Sequence, residues 1–148
     1  MMEQGRVHKF LEELSKTPGV IGCSLIDKQG RVIDRVCPYR REVSDDDLAA
    51  IVTTMYSATE MVSSEMKLGD ASLISVEFPH NYFFVVNLGA RFLLSVVAEK
   101  GSAVTLGRVR LEIGKTTKKI NDLFSSEGEI EEGTDQDSGF SAQDQGGL

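Results

Sequence analysis

The chain has 148 residues, of which 41% are hydrophobic and 26% are charged, so it can form one globular domain but not two. Its net charge of −7 is unevenly distributed. Residues 1–125 contain 16 basic and 16 acidic residues, whereas residues 126–148 contain seven acidic residues and no basic one. The domain itself is therefore neutral. This argues against nucleic acid as its main partner, because binding to phosphates needs a clustered basic surface.

Hydropathy and cysteine content indicate the compartment. No apolar run reaches the length of about 20 residues that a membrane-spanning helix needs, and residues 1–10 lack the apolar core of a signal peptide. We therefore expect a soluble, cytoplasmic protein without direct membrane insertion. Cys23 and Cys37 are the only cysteines. They could form a structural disulfide in principle, but reduced thiols are the favoured expectation for such a chain.

The first third of the chain predicts a helix followed by a β-hairpin. Apolar residues recur at spacings of three and four over residues 3–16, which is typical of an amphipathic helix. Residues 20–27 and 31–36 are two apolar runs joined by the short turn Lys28-Gln29-Gly30. This pattern predicts two antiparallel neighbouring strands.

A long middle helix is predicted from Asp45 to about Lys67. Ser44 precedes it as an N-cap, acidic residues occupy its first turn, and Gly69 follows its end. Its apolar residues recur with helical spacing, so we expect one side to face the sheet. The members of this expected stripe are Leu48, Ile51, Val52, Met55, Thr59, Val62 and Met66.

The remaining elements are a meander and a third helix. Residues 73–98 contain three short apolar runs separated by turn-forming residues, which predicts three antiparallel strands with two apolar faces. Ser102 could cap a helix running to about Phe124, although Gly107 and Gly114 each weaken it by about 1 kcal/mol relative to alanine.

The C-terminal segment differs in composition from the rest. Residues 126–148 are rich in glycine, serine and acidic residues, so we predict a disordered acidic tail after a domain of residues 1–125. The tail could be a partner-binding arm or a solubility tail, and we favour the second role.

The predicted element order, α-β-β-α-β-β-β-α, gives an α+β fold of the mixed αβ sandwich type. A five-stranded antiparallel sheet would carry the first and third helices on one face and the middle helix on the other. Such a sheet is about 24 Å wide and a helix about 10 Å, so the middle helix alone leaves its face partly open. An exposed apolar strip of that size marks an interaction site, and the middle helix of a symmetric twin would cover it.

The expected dimer interface combines the middle helix with one edge strand. A second row of mostly small residues on this helix suits the close approach of another helix, although it could also be a tolerant solvent-exposed face. This row is Ala50, Thr54, Ala58 and Met61. The strand at 73–78 has Glu77 as its one charge, whereas the strand at 31–36 carries several edge-protecting charges. We therefore predict that Leu73, Ser75 and Glu77 pair with their symmetry copies in a continuous ten-stranded sheet.

No set of residues predicts catalysis, a cofactor or a metal site. Gly114-Lys115-Thr116 resembles the end of a phosphate-binding loop, but Val109 stands where the motif needs glycine. His8 and His80 have no ligand-type neighbours at metal-binding spacing. Three consecutive aspartates at 45–47 are explained by the positive end of the middle helix. The sequence therefore predicts a binding module and not an enzyme.

The chain resembles the Roadblock/dynein light-chain domain family over about residues 5–124. The hairpin segment TPGVIGCSLIDKQGRVI is similar to the family pattern PGVxGxxxxDxxG. The matching residues are Pro18, Gly19, Val20, Gly22, Asp27 and Gly30. Gly107, Arg110 and Leu111 resemble the start of the family's closing helix.

The resemblance implies a non-catalytic partner of a small Ras-like GTPase. Family members form dimers through the middle helix and third strand and act as scaffolds or regulators, including prokaryotic ones. Arg40 and Arg41 are candidate partner contacts, although paired loop arginines more often aid solubility. Two alternatives remain: a small-molecule-sensing domain, and a structural light-chain subunit of a larger motor-type or membrane-tethered assembly.

Overall fold

The computed structural model describes residues 2–37, 43–101 and 106–131, with side chains from residue 5 to residue 125 within these ranges. Helices and strands follow one another in the predicted order, so the α+β fold is confirmed. The elements are α1 (Met2–Ser15), β1 (Val20–Asp27), β2 (Val32–Val36), α2 (Asp45–Met66), β3 (Leu73–Glu77), β4 (Asn81–Asn87), β5 (Phe92–Glu99) and α3 (Leu106–Glu131).

The strands form one antiparallel sheet in the order β2-β1-β5-β4-β3. Pairing of β1 with β5, in which Leu25 lies opposite Leu94, joins the first hairpin to the meander. Because central strands are covered on both faces, β1 is buried along its whole length. The two edges are β2 and β3, which is the condition for the predicted pairing at β3.

The sheet separates two cores of unequal size. α1 and α3 pack on one face and α2 on the other, which confirms the predicted layers. The helices of the larger core contribute Val7, Leu11, Leu14, Val109, Ile113, Ile120 and Leu123. On the opposite face, α2 contributes three buried side chains, Ala49, Val52 and Tyr56, which pack against Ile26, Val85 and Leu93. Leu48 and Met55 of the predicted stripe pack against the same cluster but are only partly buried.

One helix end matches the expected position and another differs from it. α2 ends at Met66, within one residue of the predicted end at about Lys67, because Lys67 adopts the left-handed conformation (φ 56°) and donates its backbone N–H to the Ser63 carbonyl. The predicted N-cap is confirmed, since the Ser44 hydroxyl accepts from the Asp47 N–H at 3.1 Å. α3 continues to Glu131, past the predicted end near Phe124. The division into residues 1–125 and 126–148 stays a prediction.

Ser102, the predicted cap of α3, lies outside the described residues. Among the helices that are described, none combines the length and the apolar character needed to cross a bilayer.

The two cysteines are free thiols. Cys23 is buried in the larger core and donates its thiol hydrogen to the Leu11 carbonyl at 3.3 Å. Burial, with smaller effects from Asp34 and Cys37, raises the pKa of this thiol to about 12, so it is unreactive at neutral pH. Cys37 lies close to Gly22, the residue before Cys23 on β1. Since neighbouring strand residues face opposite sides, the sheet separates the two thiols.

Asp27 closes the β1–β2 turn. Its Oδ1 accepts hydrogen bonds from the backbone N–H groups of Gln29 and Arg31, each at 3.0 Å, and its Oδ2 lies 2.9 Å from an Arg31 guanidinium nitrogen. Gly30 completes the turn with a φ of +99°, a conformation that favours glycine. Burial alone would raise the pKa of Asp27, but these bonds and the charge of Arg31 outweigh it, so the pKa lies below its ordinary value of 3.8.

Replacing Asp27 with asparagine is expected to lower the free energy of unfolding at neutral pH, because the charged acceptor makes the stronger bonds. A lowered folded-state pKa means that the carboxylate stabilises the fold above pH 3.8 and loses this effect as the pH falls through the folded-state pKa. The difference in the free energy of unfolding between wild type and Asp27→Asn should therefore become smaller in acid. Urea denaturation at neutral and acidic pH measures this free energy, and a difference that does not change with pH would contradict this account.

Candidate protein interaction surface

α2 covers its face of the sheet only in part. All three of its buried residues, Ala49, Val52 and Tyr56, lie between its start and its middle. From Ser57 to Met66 no side chain is buried. The part up to Tyr56 therefore anchors α2 to the sheet, and the part after it is mostly exposed.

The expected sheet-facing stripe of α2 is partly wrong. Ile51, Val62 and Met66 are 48%, 49% and 65% exposed, whereas Val52 is fully buried. Sequence analysis weighted large apolar residues and so passed over Ala49 and Tyr56, which occupy the buried positions. The small Ala49 side chain suits a close approach of the helix to the sheet. As a result, the apolar flank of α2, formed by Ile51, Val62 and Met66, faces solvent.

The row of mostly small residues predicted for helix pairing is exposed along its whole length. Ala50, Thr54, Ala58 and Met61 all lie at the surface, and Met61 is 69% exposed. On a helix their spacings of four, four and three place them on one continuous ridge. Their exposure leaves the ridge accessible to a second helix, and their role in an interface stays a prediction.

The predicted pairing strand, β3, is an edge of the sheet. Leu73 is half-buried, while Ser75 and Glu77 are exposed. The one charge on this strand is itself held in place, since the Glu77 carboxylate forms an ion pair with Lys100. Phe78, directly after the strand, is 49% exposed. This edge therefore presents backbone groups together with a large apolar side chain.

The opposite edge, β2, is more strongly tied to the rest of the fold. Arg35 donates to the Asp45 carboxylate at 2.8 Å and to the Val43 carbonyl at 3.1 Å. These contacts fasten β2 to the start of α2. A second strand added at β2 would meet this charged bridge, whereas β3 carries no comparable contact to a helix among the described residues.

A cavity of about 170 Å³ opens beside the first turns of α2. Its walls include Leu48, Ile51 and Phe83, and its floor contains Ser24 and Ser95. The two serine hydroxyls are buried and lie 2.5 Å apart, so one donates to the other. The cavity shows directly that one helix does not fill the space over this face of the sheet.

Lys28 and Tyr56 fix the position of α2 over the sheet. The Lys28 ammonium donates to the Tyr56 hydroxyl at 3.3 Å and to the Gly89 carbonyl, and it lies 4.6 Å from the centre of the tyrosine ring. Burial lowers the pKa of Lys28 and raises that of Tyr56. The contacts tie α2 to both turns at one end of the sheet. Nothing in the spacing of these residues indicates that they would meet.

The residues considered as candidates for metal or phosphate binding lie on different elements of the fold. His8 contacts the Asp34 carboxylate at 2.9 Å, while His80 is exposed in the turn between β3 and β4. Lys115, from the segment that resembles the end of a phosphate-binding loop, lies within α3 and forms an ion pair with Glu112. No group of three metal-binding side chains occurs in the described ranges.

Arg40 and Arg41, the candidate partner contacts, fall outside the described residues. The features that the fold brings together are thus the flank and ridge of α2, the cavity beside them and the β3 edge. Together these features make up the candidate interaction surface.

A model of the Roadblock/LC7 domain matches residues 7–98, and the chain belongs to this family. The matched span includes both hairpin strands, α2 and the meander, and ends before α3. A similar protein is the uncharacterised MJ0714 of Methanocaldococcus jannaschii, 28% identical over 123 residues that cover 83% of this chain and all of that protein.

Solved structures of similar fold include MglB proteins. Myxococcus xanthus MglB superposes with a TM-score of 0.78 at 20% identity, covering 85% of this chain and 92% of the other. An MglB with a tetrameric arrangement gives 0.74 at 20% identity, covering 83% and 90%. A Roadblock/LC7 domain from Streptomyces avermitilis gives 0.69 at 20% identity, covering 80% and 97%. The likeness at this identity establishes a shared fold.

Proposed function

We propose that the protein is a non-catalytic, homodimeric adaptor that regulates or scaffolds a small Ras-like GTPase and presents paired α2 helices to it. The observation that carries this proposal is the state of α2, whose second half buries no side chain and exposes Met61, Val62 and Met66. A helix that is apolar on a side away from its own core indicates a partner.

A second copy is the partner that best fits this surface. In a twofold arrangement the exposed second half of one α2 lies beside the first half of the other. There it would cover the cavity and the exposed Ile51 side chain. Each copy then completes the apolar layer of its twin, and the interface is self-complementary. The row from Ala50 to Met61 would let the helices approach closely.

Strand pairing at β3 is the second part of the proposed dimer. Leu73, Ser75 and Glu77 would lie opposite their symmetry copies and extend the sheet to ten strands. β3 supports this better than β2, because β2 carries several charges and Arg35 ties it to the start of α2. An MglB of the same fold is described with a tetrameric arrangement, so self-association occurs among proteins of this fold.

The GTPase part of the proposal rests on family membership together with the surface. The Roadblock/LC7 family is the one that the sequence resemblance associates with Ras-like GTPases. Arg40 and Arg41 are proposed as partner contacts beside the start of α2.

The test uses the Ras-like GTPases of the source organism, expressed one at a time and loaded with GTP. We expect at least one to co-elute with the full chain and to change its rate of GTP hydrolysis or nucleotide exchange when the chain is in excess. The Ala58→Arg variant, expected to be monomeric, is the matched control and should lose the effect. Co-elution with unchanged rates would favour the structural light-chain role, and no co-elution would refute the GTPase proposal.

The cavity beside α2 favours one alternative, a small-molecule sensor. Apolar walls over a buried pair of hydroxyls could hold a small neutral molecule. Denaturation midpoints with and without a metabolite pool distinguish the two functions. A ligand that binds the folded state adds RT ln(1 + [L]/Kd) to the free energy of unfolding, whereas an adaptor should show no shift.

A further inference from the structure

Tyr56 is the last buried residue of α2, and the ridge of small residues continues beyond it. Ala58 and Met61, the later members of the ridge, lie on the part of the helix whose side chains are exposed or half-buried. A segment with few buried contacts can move locally without unfolding the rest of the domain. The contacts of Tyr56 therefore decide how the later part of the ridge is held relative to the sheet.

The Tyr56 ring lies on the side of α2 opposite to the middle of the ridge. Successive residues of a helix are rotated by about 100°, so Tyr56 is rotated by about 200° from Thr54 and from Ala58, which lie two positions before and after it. Tyr56 packs in the smaller core, whereas Thr54 and Ala58 are exposed. A rotation of α2 about its axis that displaces the tyrosine displaces the ridge by the same angle.

Lys28 holds this tyrosine from the turn between β1 and β2. Its ammonium donates to the Tyr56 hydroxyl at 3.3 Å and lies 4.6 Å from the centre of the ring. The same ammonium donates to the Gly89 carbonyl, and the Lys28 backbone N–H donates to the Arg91 carbonyl at 2.9 Å. The two bonds to the β4–β5 turn fix the lysine, and the lysine in turn fixes the tyrosine.

The charge of Lys28 is suited to this contact. A buried tyrosine hydroxyl needs a hydrogen-bond partner, and the face of its ring attracts a cation. Burial lowers the pKa of Lys28, and the carboxylates of Glu60 and Asp70 act in the opposite direction. Because Glu60 lies one turn after Tyr56 on α2, the ammonium attracts the helix at two successive turns.

We propose that Lys28 is the positioning residue of the interaction surface: by holding Tyr56 it sets the rotation of α2 and aligns the ridge for pairing with a second copy. In the proposed dimer, on which this inference rests, Lys28 acts from the side of α2 away from the ridge and without touching the second copy. Another polar tie of α2, between Arg35 and Asp45, is weaker for this purpose, because the Asp45 side chain is 65% exposed.

The test is sedimentation equilibrium of the full chain carrying Lys28→Met, which keeps an unbranched side chain and removes the charge and the donors. We expect the dissociation constant of the dimer to rise about tenfold. Lys28→Arg keeps the charge, the donors and the contact with the aromatic face, so it should stay within about threefold of wild type. Lys9→Met makes the first change on the exposed surface of α1 and is the control that should leave the dimer unchanged.

Hydrogen exchange shows the effect on the helix itself. In the monomeric background of Ala58→Arg, Lys28→Met should lower the protection of backbone amides in α2 and leave that of α1 and β5 unchanged. A loss of protection that is equal throughout the domain would indicate general destabilisation and would overturn the proposal.

A dissociation constant that Lys28→Met does not change would also overturn it, as would an equal rise in Lys28→Arg or in Lys9→Met. A wild-type chain that is monomeric at micromolar concentration would refute the proposed dimer instead. The hydrogen-exchange comparison would then still show whether Lys28 positions α2.

Discussion

Ala58→Arg is expected to convert the protein from a dimer to a monomer at micromolar concentration. Ala58 is exposed at the centre of the α2 ridge, so the change should leave the monomer folded. In a symmetric helix pair each dimer would gain two arginines in a closely packed contact, where bulk and like charge act together. We expect the dissociation constant to rise at least about a hundredfold, as measured by sedimentation equilibrium.

Asn121→Arg is the matched control for this variant. Asn121 is exposed on α3, which packs on the face of the sheet opposite to α2. The same arginine at this position should leave the dimer intact. A dimer that survives Ala58→Arg would reject the ridge as the contact surface, and circular dichroism of both variants checks that the helices are retained.

Phe84→Ala is expected to cause the largest loss of stability of any single change considered. Phe84 is fully buried at the centre of the sheet, where it packs in the core under α1 and α3 and stacks with Tyr82 at a centroid distance of 6.0 Å. Removing a buried phenyl ring typically costs about 3–5 kcal/mol. Since whole domains are stable by about 5–15 kcal/mol, much of the folding free energy would be lost.

Phe78→Ala makes the same chemical change at a site that is 49% exposed. Urea denaturation of both variants below the dimer concentration range should show a cost for Phe78→Ala of under about 1.5 kcal/mol, because less apolar area is buried there. Similar costs for the two variants would contradict the placement of the core on the α1/α3 face.

Most of the fold could be predicted from local patterns. Helical spacing located α1 and α2, and the turn at Gly30 located the first hairpin, because these elements depend on contacts between residues close in sequence. The end of α3 was harder to predict, since this helix continues past Phe124 to Glu131. The end of α2 at about Lys67 was predicted, but its cap was not, because Lys67 adopts a left-handed backbone conformation that usually belongs to glycine or asparagine.

The candidate surface was only partly predictable. The sequence predicts the ridge from Ala50 to Met61 and the strand β3 as interaction elements, and the ridge is exposed while β3 lies at the edge of the sheet. The apolar flank was not predicted, because Ile51 and Val62 have the spacing of buried residues. Which of two adjacent apolar sides faces the sheet depends on the rotation of the helix, and contacts far apart in sequence set this rotation.

The sequence by itself determined the order of the elements, the layered fold and the family, because periodicity, turn residues and the PGVxG hairpin are local properties of the chain. Only the tertiary structure decided which residues are covered. The anchor between Lys28 and Tyr56 and the cavity beside α2 each combine residues that lie far apart in the sequence. These contacts depend on how the helices pack on the sheet, which no local sequence pattern predicts.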